Sequence, residues 1–70
     1  MSYVEQQKEL MHAVNASVSN ASCKSLWFAG GWRADVKKNG QTKEVYLGIS
    51  FPIAQENIKQ NLTSPKLSEL

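Results

Sequence analysis

The dipeptide Asn39-Gly40 lies between two stretches whose apolar and polar residues alternate. Upstream, Trp32, Ala34 and Val36 fall on one side and Arg33, Asp35 and Lys37 on the other. Downstream, Val45, Leu47 and Ile49 oppose Tyr46, Gly48 and Ser50. A period of two with aromatic and β-branched residues describes half-buried strands. Asn-Gly tolerates the positive φ angles of a tight hairpin turn. The stretch from Gly31 to Phe51 therefore reads as a β-hairpin running directly into a helix. It restricts the chain to folds with an antiparallel sheet that buries one face.

Two registers keep the apolar faces together. A two-residue loop at Asn39-Gly40 pairs Lys38 with Gln41 and sets Trp32 opposite Leu47, Ala34 opposite Val45 and Asp35 opposite Glu44. A four-residue loop from Asn39 to Thr42 pairs Lys38 with Lys43, sets Val36 opposite Val45, and sets Lys37 opposite Glu44. Turn chemistry favours the first. Cross-strand pairs, worth roughly 0.2–1 kcal/mol each, favour the second, because it replaces two facing acids with an opposite-charge pair. The expectation is the longer loop.

Before the hairpin, Val4, Met11, Val14, Val18 and Ala21 recur at helical spacing, interrupted by Gln7. Ser2 and Glu5 form a capping-box pattern, so a helix is expected over residues 3–20, fading through the Asn- and Ser-rich stretch from Asn15 to Asn20. The same positions can be read as a short dimer seam. Residues 24–28 suit a first strand, with Leu26 and Phe28 on one face and Ser25 and Trp27 on the other. Gly30-Gly31 then turns the chain. After the hairpin, Ser50 and Pro52 open a second helix over residues 52–62. Ala54, Ile58 and Leu62 form its stripe. A tail over residues 63–70 carries Leu67 and Leu70.

The expected fold is α+β: a three-stranded antiparallel β-meander, with its sheet in residues 24–50, flanked by an N-terminal and a C-terminal α-helix. It forms one small domain over residues 1–70. Its core joins Leu26, Trp27 or both, Phe28, Trp32, Ala34, Val36, Val45, Leu47, Ile49, Phe51, Ile58 and Leu62 with one face of the first helix. A chain of 70 residues with a single cysteine, Cys23, has no internal disulfide to help its small core. Homodimerisation is therefore expected. No apolar run reaches membrane-spanning length and no leader pattern is visible, so no membrane association and a cytoplasmic setting are expected. The sequons at Asn15, Asn20 and Asn61 are then coincidental.

Catalytic chemistry finds few candidates. His12 is the only histidine, and one cysteine supplies no thiolate cluster, so no metal site is expected. Cys23 has no positioned base. The glycines match neither the phosphate-loop nor the dinucleotide pattern. The expectation is a non-enzymatic protein without a cofactor. The net charge of +2 is uneven: residues 21–50 carry Lys24, Arg33, Lys37, Lys38 and Lys43 against Asp35 and Glu44. The outer sheet face, with Arg33, Lys37 and Tyr46, and the tip, with Lys38 and Lys43, suit nucleic acid. A second class is a protein-interaction module, an inhibitor or adaptor, in which Trp27, Tyr46, Met11 and Val18 form a hydrophobic patch.

GGWRADVKKNGQTKEVYLGISF, followed by an Ala-containing helix, resembles the plant ethylene-response-factor type of DNA-binding domain, its relatives in phage homing endonucleases, and integrase arm-binding domains. Their pattern is Gly-x-Trp-x-Ala-x-Ile/Val, a turn with Gly, then aromatic-Leu-Gly-x-Phe before a helix. Gly30 or Gly31, Trp32, Ala34, Val36, Gly40, Tyr46, Leu47 and Gly48 match it, within residues 30–58, while Ile49-Ser50-Phe51 delays the Phe by one residue. The resemblance implies a three-stranded sheet packed on a helix and laid in the DNA major groove, with Arg33 and Lys37 contacting bases or phosphates. It points to a DNA-binding regulator or accessory factor of phage, plasmid or bacterial type.

Overall fold

A computed structural model of the chain describes residues 2–70. The elements follow the order α1 (Tyr3–Ala16), β1 (Ser22–Phe28), β2 (Trp32–Lys38), β3 (Gln41–Gly48), α2 (Phe51–Gln60) and a 3-10 turn at Leu67–Glu69. The strands form one antiparallel sheet in the order β1-β2-β3. The architecture is the expected α+β arrangement of a meander with a helix on either side in sequence.

Ser2 caps α1 as its pattern suggests. Its hydroxyl accepts from the Glu5 amide at 3.2 Å and donates to the Glu5 carboxylate at 3.1 Å. The helix stops at Ala16 rather than reaching residue 20, because Ser17 bonds back to Ala13 and Asn20 takes a left-handed φ of 58°. The buried stripe is also not the expected one. Leu10 and Val14 are sealed, Met11 is half-buried and Val4 is exposed. Val14 is spent on the chain's own core and Val18 lies beyond the helix, so α1 presents no heptad seam.

The hairpin closes through the two-residue loop, a correction to the expected register. Lys38 pairs with Gln41, Val36 with Lys43, Ala34 with Val45 and Asp35 with Glu44. Asn39 and Gly40 both have positive φ, 54° and 79°, as a type I′ turn requires, and that turn's twist matches the strands it joins. The register then shifts between Arg33 and Trp32, so that Trp32 pairs with Gly48 and Leu47 is the extra residue. This bulge breaks the alternation. Leu47 and Gly48 are both buried and Ile49 is thrown outward. Gly48 has no room for a side chain, since a Cβ there would stand 2.8 Å from the Ala54 amide nitrogen. A second bulge, at Lys24, separates the pairs Cys23–Val36 and Ser25–Asp35.

Both helices lie on one face of the sheet. The core gathers Leu10 and Val14 from α1, Leu26, Trp32, Ala34, Val36, Val45 and Leu47 from the sheet, and Ala54 and Ile58 from α2. Burying each such large side chain contributes about 1.5–3 kcal/mol. Three expected core members are outside it: Phe28, Ile49 and Leu62 are about half exposed, because each sits at or beyond the end of its element. Leu67 takes a core place instead.

Both edges of the sheet make contacts beyond it. Along β1, Tyr3, Gln7 and Asn15 of α1 serve the outward backbone groups. The Phe28 amide donates to the Tyr3 hydroxyl at 3.2 Å, Gln7 Nε2 donates to the Leu26 carbonyl, and the Cys23 amide donates to Asn15 Oδ1 at 2.8 Å. These residues recur at multiples of four and so share one side of the helix. Along β3, Ser64 forms a two-bond bridge with Tyr46, at 2.9 and 3.1 Å. The tail then turns beneath the hairpin tip, where Lys38 Nζ donates to the Leu70 main-chain oxygen. Free strand edges invite pairing with other chains. Here α1 serves the β1 edge, and Ser64 occupies the β3 edge at Tyr46.

Candidate interaction surfaces

The outer face of the sheet is organised in rows. Trp27, Arg33 and Tyr46 form one row across the three strands, followed by Ser25, Asp35 and Glu44, then Ser22, Lys37 and Thr42. Arg33 is heavily engaged. Its Nε donates to the Ala29 carbonyl at 2.9 Å, its Nη1 to Glu44 at 3.2 Å, and its guanidinium lies 5.1 Å from the centre of the Tyr46 ring. Tyr46 also packs on Gly31, where a Cβ would stand 2.5 Å from a ring carbon. Asp35 accepts from the Ser25 hydroxyl at 3.3 Å. Arg33 and Lys37 are thus balanced by Asp35 and Glu44 on the same face.

Of the residues expected to meet nucleic acid, the structure brings Arg33, Lys37 and Tyr46 onto this face, with Lys37 exposed. Lys38 and Lys43 are on the opposite side, in register with the inward-facing Val36, and line a cleft with Asn39, Gln41 and Leu70. The four residues of the expected hydrophobic patch are divided in the same way. Trp27 and Tyr46 belong to the outer face, half-buried. Met11 and Val18 pack against the core on the helix side.

A different apolar surface lies at the end of the molecule away from the hairpin tip. The start of α1, the end of β1, the start of β2 and the start of α2 meet there. Trp32 is its floor, 3 % exposed. Tyr3 stacks on the Trp32 ring with centroids 5.4 Å apart, and Phe28 meets it edge-on at the same distance. Ile49, Phe51 and Pro52 complete a shallow recess. Tyr3, Phe28 and Ile49 are 50 %, 48 % and 56 % exposed. Alternation assigned Phe28 and Ile49 to the core. The available signal was the crowding of Ile49, Phe51 and Ile53 around one turn, more apolar residues than a single buried face can take.

The remaining chemistry is sparse. Among the described residues no three His, Cys, Asp or Glu side chains gather in a way that could hold a metal ion. His12 is exposed on α1. Burial pushes the Cys23 thiol above its ordinary pKa, the nearby Asp35 charge adds to this, and a hydrogen bond to the Ser25 carbonyl acts in the opposite sense. No described helix is long and apolar enough to cross a membrane. The chain matches no protein-family model, no curated protein and no solved structure.

Proposed function

We propose that the chain is a small non-enzymatic protein-interaction module that engages its partner through the apolar end. The observation that carries this is the set of half-exposed side chains Tyr3, Phe28 and Ile49 around the buried Trp32. Contiguous exposed apolar surface of this kind marks contact sites, whereas scattered apolar residues do not. The outer sheet face is charge-balanced and its arginine is held by three groups of its own chain, which favours the end over the face. Capture with the wild-type chain as bait, against Ile49→Lys and Lys37→Ala, tests it. A partner held by the wild type and Lys37→Ala but lost with Ile49→Lys supports the apolar end. Loss with Lys37→Ala alone overturns it.

Nucleic-acid binding through the outer face is the second reading. It is supported by the absence of either helix from that face and by the exposed Lys37 beside Arg33. It requires binding to a random duplex DNA pool that weakens steeply with salt, and a salt slope that falls by about one unit in Lys37→Ala. No binding at low salt ends this reading.

A further inference from the structure

We infer that the recess at the apolar end takes a proline-rich segment in the extended polyproline II form. The inference rests on the interaction reading above and names the chemistry of the partner.

The walls of the recess give the first argument. Four of the chain's six aromatic residues, Tyr3, Phe28, Trp32 and Phe51, line it. Tyr3 lies 26° from the plane of the Trp32 ring and Phe28 lies at 74° to it, so the rings offer surfaces in two orientations. The Tyr3 ring is also tied at its far end, because its hydroxyl accepts from the Phe28 amide. Aromatic-lined grooves of this kind receive the CH-rich rings of polyproline helices. No charged residue lines the recess, so it matches a segment that is uncharged where it touches.

Hydrogen bonding separates this occupant from others. Trp32 is 3 % exposed, and no described residue accepts from its indole N–H. Among the described residues no sealed side-chain nitrogen or oxygen lacks a partner, so this N–H reaches open space, and the recess is the open space that Trp32 lines. The Ser50 hydroxyl makes no capping bond to α2, and Gln6 is half-buried in the same lining. The recess thus presents uncharged donors, and its ligand must bring free acceptors. A polyproline II segment has no internal hydrogen bonds, so its carbonyls are free. A docked α-helix keeps its carbonyls for itself and would seal the indole N–H without a partner. A β-strand needs an open edge, and here the Phe28 amide is already taken by Tyr3. A segment that is extended before it binds also loses little entropy on docking, which suits a shallow site.

NMR of the isotope-labelled full chain, titrated with decaproline blocked at both ends to about 1 mM, tests the inference. The expected result is a saturating downfield shift of the Trp32 indole N–H, with the Trp27 indole on the outer face unmoved. A blocked Gly-Ser peptide of the same length, uncharged but flexible, should bind at least about tenfold more weakly. Ile49→Lys should weaken decaproline binding at least about tenfold while leaving the thermal midpoint within a few degrees, and Lys37→Ala should leave binding unchanged. No shift at the highest concentration overturns the inference, as does an equal shift of the Trp27 indole, or equal binding of the Gly-Ser peptide. If decaproline fails while Ile49→Lys still loses a captured partner, the proline-rich ligand falls and the interaction module stands. If capture also survives Ile49→Lys, both fall.

Discussion

Asp35 and Glu44 face each other across β2 and β3, and each is occupied by a different neighbour: Asp35 by the Ser25 hydroxyl, Glu44 by the Arg33 guanidinium. Like charges directly opposite in a sheet are unfavourable. The turn at Asn39-Gly40 nevertheless imposes this register, and the two partners, Ser25 directly across from Asp35 and Arg33 diagonal to Glu44, make it tolerable.

Replacing Asp35 by Asn keeps an acceptor for Ser25 and removes the repulsion. Asp35→Asn should stabilise the chain by about 0.2–1 kcal/mol, with a gain that shrinks as salt is added. Urea unfolding at low and high ionic strength reads this directly. Had Asp35 been a net stabilising charge, the sign would reverse.

Gly31 has a φ of 130° and lies under the Tyr46 ring. Gly31→Ala meets both a backbone penalty and a clash and should cost about 1–3 kcal/mol. In a Tyr46→Ala background the clash is gone and only the backbone term remains, so the two changes should be non-additive in a double-mutant cycle. Additive costs would mean that the ring is not held by this contact.

Gln7 is the polar residue that interrupts the apolar stripe of α1, and it serves the Leu26 carbonyl on the β1 edge. Gln7→Ala should cost about 1–3 kcal/mol, the penalty of an acceptor left without a partner. It should also raise amide exchange in β1 more than in β3. Equal exchange in both strands would assign the loss to the helix rather than to the edge.

Leu67 is buried although its element has only three residues. Leu67→Ala should lower stability by about 2–5 kcal/mol, as in other cores. Chemical denaturation measures it. A change of a few tenths would show that the tail is detached in solution.

The Cys23 thiol is raised by burial, then by Asp35. The unfolded chain therefore releases this proton first. The contribution is fully present below about pH 8.5, the ordinary thiol value, and is lost as pH rises through the folded value. Stability against pH should fall more steeply on the alkaline side for the wild type than for Cys23→Ala. Parallel curves would remove Cys23 as the cause.

The sequence made the strands legible because period two is a local property, and so were the helix starts, where a capping box or a Ser-x-Pro writes its signal within a few residues. Placement of Trp27, Arg33, Lys37 and Tyr46 on one face followed from the same alternation. Register was harder: a count of facing pairs misses Arg33 reaching diagonally to Glu44. Gln7 was unreadable because its meaning is a carbonyl 19 residues away. Leu67 was unreadable because a single turn has no period. Ile49 and Phe28 were misplaced because alternation says which side a residue takes while a strand lasts, and says nothing about where the sheet ends.

The two edge closures also differ in time. During synthesis α1 precedes β1, so the side chains that guard the first edge already exist when that strand emerges. Ser64 follows α2, so a nascent chain holding β3 lacks the bridge at Tyr46 until Ser64 has left the ribosome. Crowding and slow translation should therefore act on β3, the strand whose guard is made after it.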